Sequence, residues 1–395
     1  MQDFFRQLAK PSLNWLLVFF PAAIVFEILH AGFHVAWATP TLIFCASAVA
    51  IIPVAGWMGH ATEHLAARLG AGIGGLLNAT FGNAAELIIA VMALVQAWRN
   101  PEVMESMHAL VKASITGSII GNILLVLGAA LLAGGLRYKI QRFNTAATRV
   151  SATLLYLAVI AMFAPTLLSY FVGPSKRHGD EVVHLSLEVS LLLLVAYVLS
   201  LFFTLHTHKH LYVGGDAPEE VPSIPAKQEE QHEGEHHQPW PVKRAVAVLL
   251  AATVCVGVLA ELMIGSVEAA SEAIGLTKTF VGIIVVAIVG NAAEHSTAIL
   301  VALRNRMDLS LTIAIGSSIQ IALFVAPVLV LISYLAGQPM DLVFQAPEII
   351  AMGLAVIVTG QIAGDGESNW LEGFLLLAVY VLLGALFFYL PDAAQ

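Results

Sequence analysis

Eleven apolar runs, each about twenty residues or longer and parted by short polar stretches, leave this chain little choice but a bundle of membrane-crossing helices. Some 18 to 20 apolar residues in a helix cross the ~30 Å hydrocarbon layer. Within that layer every backbone N–H and C=O must be satisfied inside the segment, which a helix achieves and irregular chain does not. The runs lie near residues 13–36, 39–59, 74–97, 112–134, 146–172, 184–206, 243–266, 279–303, 309–335, 342–363 and 369–390. Composition agrees, since 58% of residues are hydrophobic and only 11% charged, against roughly a quarter charged in a soluble domain. The expected fold class is an all-α polytopic membrane protein of about eleven transmembrane helices. Glu27 and His30 interrupt the first run, which therefore reads as a retained helix rather than a removable signal peptide.

Loop charges set an orientation. With the N-terminus in the cytoplasm, thirteen of the 18 Lys and Arg fall on cytoplasmic segments, and only Arg99, Lys112, Lys176, Arg177 and Lys278 fall outside. The positive-inside rule favours that arrangement and puts the C-terminus outside. A proline-rich polar stretch, about residues 207–241, carries Glu and His tracts and reads as a cytoplasmic linker. It divides the chain into an N-terminal helix (1–36), a first set of five helices (37–206) and a second set of five (242–395). Five is odd, so two sets sharing one fold would lie inverted in the membrane, with a site at their interface near the midplane. Cys45 and Cys255 give neither a disulfide framework nor thiolate metal-site spacing.

One pentapeptide occurs in both sets. Gly82-Asn83-Ala84-Ala85-Glu86 returns 208 positions later as Gly290-Asn291-Ala292-Ala293-Glu294, each within an apolar run. A carboxylate at membrane depth is costly unless something charged visits it, so a repeated one points to a cation site. Asn and Glu three apart share a helical face, which would let Asn83, Glu86, Asn291 and Glu294 converge. A hard divalent cation such as Ca²⁺ takes six to eight oxygens, with two carboxylates to neutralise it. Gly82 and Gly290 could loosen the helix so that backbone carbonyls turn inward. The plain alternative is close helix packing around buried, protonated acids. The next run of each set repeats as well, Gly117-Ser118-Ile119-Ile120-Gly121-Asn122 answering Gly316-Ser317-Ser318-Ile319-Gln320-Ile321.

These segments resemble the two signature repeats of the cation/proton exchanger family, the Ca²⁺/H⁺ antiporters within the calcium/cation antiporter superfamily. The first covers Gly74 through Leu87 and the second Val281 through His295, with further likeness at His60-Ala-Thr-Glu63, Gly117 to Gly128 and Gly316 to Gln320. The resemblance implies an antiporter in which Glu86 and Glu294 bind the cation and the protons. It makes Asn83, Asn291, Ser118, Asn122, Ser317 and Gln320, with carbonyls near Gly82 and Gly290, accessory ligands or helix-to-helix hydrogen bonds. Two nearby carboxylates in a low dielectric repel, so they hold either protons or a cation, and that exclusion couples the fluxes. Exchange of Na⁺ or K⁺ for H⁺ at the same acids is the alternative, followed by a cation channel. No acid lies in 117–122 or 316–321, which disfavours a Na⁺-coupled relative.

Other polar residues carry secondary expectations. His295 adjoins Glu294 as a proton relay or tuning group. Glu261 lies within the seventh helix, and Glu63, Glu268 and Glu272 at loop or helix ends, where they would cap, stay solvated or gather cations at a vestibule. His206, His208 and His210, and His232, His236 and His237, form tracts that bind transition metals in some proteins; here they read as part of the charged linker. Gly364-Asp365-Gly366 reads as a turn, and no nucleophile arrangement or phosphate loop appears, so the chain is not expected to be an enzyme. No cofactor or nucleic-acid partner is expected, only the transported ions and the lipid bilayer. The sequence leaves the oligomeric state open. A prokaryotic plasma membrane is the expected location, with a vacuolar membrane the alternative.

Overall fold

The computed structural model describes residues 13–173, 179–208 and 240–391. Among them run eleven helical segments: α1 (Leu13–Gly32), α2 (Pro40–Phe81), α3 (Ala84–Arg99), α4 (Pro101–Arg137), α5 (Thr145–Val172), α6 (Asp180–Thr207), α7 (Val242–Ile274), α8 (Lys278–Ala302), α9 (Met307–Leu335), α10 (Ala346–Ile362) and α11 (Trp370–Tyr389). Among the described residues nine stretches are long and apolar enough to cross a membrane, and α10 is a shorter apolar helix. Local signals set several ends. Asn144 and Asn369 cap α5 and α11 through their side chains, Gln345 and Glu348 form a capping box on α10, and the left-handed Gly275 (φ 76°) ends α7.

The second and third helices depart from expectation. Residues 60–73, expected as a loop, are helical, and Glu63 lies inside α2 rather than at its end. Yet α2 is not straight. A Cβ on Gly74 would stand 2.5 Å from the carbonyl oxygen of Ala66, whereas residues eight apart in a straight helix are separated by about 12 Å along the axis. The chain reverses there, where Gly70, Gly72, Gly74 and Gly75 crowd the sequence. It then breaks again at Gly82–Asn83, so the expected helix 74–97 consists of two half-helices. The linker expectation, including His210, His232, His236 and His237, falls on residues 209–239, which lie outside the described residues.

The core sits between the two sets of helices. α2 packs along α7, α3 also lies against α7, and α8 packs against α2 and α4. α11 presses on the second half of α4, where a Cβ on Gly373 would lie 2.6 Å from the Gly128 carbonyl oxygen; small residues permit such backbone approach between membrane helices. A two-residue antiparallel ladder, β1 (Gln141–Arg142) with β2 (Glu367–Ser368), ties the α4–α5 connection to the α10–α11 connection. Leucine, valine and phenylalanine side chains of α5, α6, α7 and α11 face outward, including Phe171, Val198, Val254 and Leu382. An outward apolar surface of that kind is what lipid tails contact.

Lys112 also departs from expectation. Instead of standing in an exterior loop it is buried in α4, with its ammonium 2.9 Å from the carboxylate of Asp341, itself buried. Glu348 is buried nearby.

Candidate functional site

Glu86 stands in the first turn of α3, immediately after the Gly82–Asn83 break, and is 7% exposed. A carboxylate there benefits from the positive end of the helix dipole. Glu294 lies mid-helix in α8, half-buried. The two acids come from different sets of helices and are near enough to interact electrostatically. Glu86 Oε1 and Glu294 Oε2 are buried and accept no hydrogen bond among the described residues. A buried carboxylate oxygen left so is costly, and a proton or a cation there would answer it.

The accessory residues of the repeated segments gather around the acids as one hydrogen-bonded chain. Asn83 Nδ2 donates to Gln320 Oε1 (2.5 Å) and Ser317 Oγ donates to Asn83 Oδ1 (2.8 Å). Asn122 Nδ2 is shared between Ser317 Oγ (2.9 Å) and Asn291 Oδ1 (3.3 Å), while Asn291 Nδ2 donates to Ser118 Oγ (3.0 Å). His295 Nε2 meets Asn122 Oδ1 at 3.1 Å. Every one of these bonds joins a residue of the first set to one of the second. The Asn83–Ser317 and Asn291–Ser118 pairs correspond to each other under the internal repeat. Ser118 and Asn291 face the Glu86 carboxylate, and Ser317 faces that of Glu294.

Local backbone explains the convergence. Asn83 occupies the cap position of α3, yet its side chain makes no capping bond and reaches across to α9 instead. Beyond Ser118 and Ser317 the helices widen into π-helical turns, Gly121–Val126 and Ile321–Val325. Such turns recur at functional positions, and here they carry Asn122 inward. Gly290 is needed for clearance: a Cβ there would lie 2.6 Å from Glu86 Cγ.

A cavity of about 610 Å³ leads to this centre from one end of the bundle. Trp57, His60, Glu63, Gly82, Gly290 and Glu294 line it, so Glu294 faces the cavity while Glu86 does not. Its mouth is framed by Trp240, whose ring stacks on His64 (centroids 4.4 Å apart) and beneath Arg244, and by Asn14, which accepts a bond from Trp57 Nε1 (3.0 Å). Of the secondary candidates, Glu63 alone lines the cavity. Glu261 pairs with Arg99 (2.7 Å), Glu268 with Lys278 (2.7 Å), and Glu272 is exposed. The sequence reading missed His64 and Trp240 as mouth residues. It also took Lys112 for a loop charge, although a lysine at the edge of an apolar run is itself a signal of a buried partner.

The donor set suits a hard cation: two carboxylates, amide and hydroxyl oxygens, and no thiolate. Among the described residues no group of three or more His, Cys, Asp or Glu side chains is arranged to hold a metal ion. A cation held here would have to draw on neutral oxygens beside the two acids.

Fold and sequence define a polytopic α-helical membrane protein whose polar centre lies between two sets of helices. The chain belongs to the sodium/calcium exchanger protein family, which matches residues 39–206 and 244–389, as the signature segments led us to expect. It is 44% identical over 384 residues to a Ca²⁺/H⁺ antiporter of Aphanothece halophytica, covering 95% of this chain and 96% of the relative. It is 41% identical to the Ca²⁺/H⁺ antiporter ChaA of Bacillus subtilis over 94% of this chain and 96% of that protein. The solved structure of native YfkE superposes with a TM-score of 0.76 at 37% identity, covering 96% of this chain and all of that one. The H⁺/Ca²⁺ exchanger CAX, at 15% identity and a TM-score of 0.64 over 93% of this chain and 91% of its own, shares the fold.

Proposed function

We propose that this protein exchanges cytoplasmic Ca²⁺ for H⁺ by alternating access, with Glu86 and Glu294 as the shared binding acids. The observation that carries this reading is the pair of acids from two sets of helices, each with a buried oxygen that accepts no hydrogen bond, beside a continuous chain of neutral donors and acceptors. Two such carboxylates cannot both stay charged in a low dielectric without a cation, so they carry either protons or the ion. Ca²⁺ entering by the cavity meets Glu294 first and displaces protons from the pair; after rearrangement, protons from the other side discharge it. The names of the full-length relatives support Ca²⁺ as the cargo. Asn83, Asn291, Ser118, Asn122, Ser317 and Gln320, with carbonyls near Gly82 and Gly290, position the acids or complete the shell.

The same reading takes residues 37–206 and 242–395 as inverted five-helix repeats, with 207–241 as the cytoplasmic linker between them. The cavity end is the cytoplasmic one. With Lys112 buried in the bundle, basic residues gather still more strongly on that face, at Arg68, Arg137, Lys139, Arg142, Arg304 and Arg306.

Sealed vesicles with an imposed pH gradient test the proposal. Ca²⁺ uptake should follow the gradient, saturate, and fall to background in Glu86→Gln and in Glu294→Gln. Uptake that survives either change, or that ignores the gradient, sinks it. Running Mn²⁺, Na⁺ and K⁺ under the same gradient separates divalent from monovalent exchange.

A further inference from the structure

At the end of the bundle opposite the cavity, charged bonds at Glu261 and Glu268 are left without a role by the exchange scheme. Moving along α7 by the 208 positions that relate Glu86 to Glu294 places Glu261, Glu268 and Glu272 where α2 has Pro53, His60 and His64. Those three α2 residues line the open cavity. On the cavity side, His60 pairs with Glu63 of its own helix at 3.5 Å, and both side chains are largely exposed, at 70% and 65%. On the other side, the Glu268 carboxylate accepts from Ser106 Oγ (2.9 Å) and Lys278 Nζ (2.7 Å), and Glu261 accepts from Arg99 Nη1 (2.7 Å). Arg99 ends α3, about 20 Å beyond Glu86 along the helix axis and away from the cavity. Ser106 lies in the first turns of α4. The bonds from Arg99 and Ser106 thus fasten α7, the partner of α2, to helices of the other set, at the end of the bundle remote from the cavity.

We propose that Glu261 and Glu268 are positioning residues of the outward mouth. Held by Arg99, Ser106 and Lys278 they keep it shut while the cytoplasmic cavity is open, and on release they line the outward path as His60 and Glu63 line the inward one. The proposal rests on the alternating-access reading above. Carboxylates released at that mouth face the side from which protons arrive and to which the divalent cation is delivered, and a carboxylate suits both. Glu268 has the tighter hold, since it is shared by a hydroxyl and an ammonium and is only 33% exposed. Glu261 and Arg99 are 57% and 64% exposed and contribute less.

The test uses the full chain in sealed vesicles, with Cys45 and Cys255 replaced by Ala and the pair Ser106→Cys/Glu268→Cys introduced. Reduced, this variant should exchange. Bridged by a short bis-methanethiosulfonate it should lose at least tenfold of its gradient-driven Ca²⁺ uptake, and dithiothreitol should restore it. Bridging without loss, or an equal loss with a monofunctional reagent, overturns the clasp. If the cysteine-free parent itself shows no exchange, it is the antiport reading that fails.

A second variant needs no cross-link. Lys278→Met loosens the hold on Glu268 and shifts the resting population toward the outward form, so KM for cytoplasmic Ca²⁺ should rise about two- to fivefold with kcat nearly unchanged. An unchanged KM, or a fall in kcat alone, counts against the proposal.

Discussion

Glu86 and Glu294 follow the same four residues but stand on different backbones. Before Glu86 the helix is interrupted at Gly82–Asn83, and the Asn83 side chain leaves its own helix for α9. Before Glu294 the helix runs through Gly290–Asn291 unbroken, and Asn291 Nδ2 also bonds back to the Ala287 carbonyl (2.9 Å). Identical local sequence has produced two conformations, so propensity did not choose between them. Tertiary surroundings did. Both glycines border the cavity, but Gly290 also abuts Glu86 with no room for a methyl group. On the alternating-access reading proposed above, two related halves open to one side at a time would differ in this way.

That contrast can be attacked directly. The largest effect is expected at Gly290→Ala, whose new Cβ must displace Glu86; overpacking of about 2 kcal/mol corresponds to roughly a thirtyfold loss of Ca²⁺ uptake, whereas Gly82→Ala should cost less than about threefold. Equal losses in uptake assays, with both variants recovered folded on size-exclusion, would erase the distinction between the segments.

Next comes Asn122→Ala, which strips donors and acceptors from Ser317, Asn291 and His295 together. About 1–2 kcal/mol predicts near tenfold weaker uptake and a lower melting temperature, while Ile321→Ala, its counterpart in the repeat, should affect melting alone. Smallest is the difference between Asn83→Ala and Asn291→Ala. Their bonds to Ser317 and Ser118 are similar in length at 2.8 and 3.0 Å, although Asn83 accepts and Asn291 donates, so initial rates should agree within about threefold. A wider gap would place the functional asymmetry in the amides rather than the glycines.

Much of this was legible from the chain alone. Apolar run lengths located most of the helices to within a few residues, because crossing the bilayer fixes length; α2, α3, the start of α4 and the end of α7 depart by eight residues or more. The repeated pentapeptide and the Gly-Ser segments identified the residues that the structure brings together, since polar groups inside a membrane must find each other. The reversal near Ala66–Gly74 was not legible as helix, because its glycines read as loop. Nor was the break at Gly82–Asn83, since the same residues continue a helix at 290–291. Lys112 was misplaced because hydropathy reads a lysine as an end, whereas Asp341, 229 positions away in sequence, lets it be buried. Trp240 stacks on His64 from across the polar stretch, a contact no local pattern announces.

The small ladder between Gln141–Arg142 and Glu367–Ser368 has a consequence for how the molecule is made. Its strands are separated by more than half of the polypeptide, and Gln141 also donates to the Ala302 carbonyl and to Asn305. During synthesis the first helices enter the bilayer long before these partners leave the ribosome. The Gln141 strand must wait, wet, at the membrane surface until Glu367–Ser368 has emerged. Final closure is therefore a late event for this protein, and a nascent chain stopped short of Glu367 would present an unfinished seam to quality control.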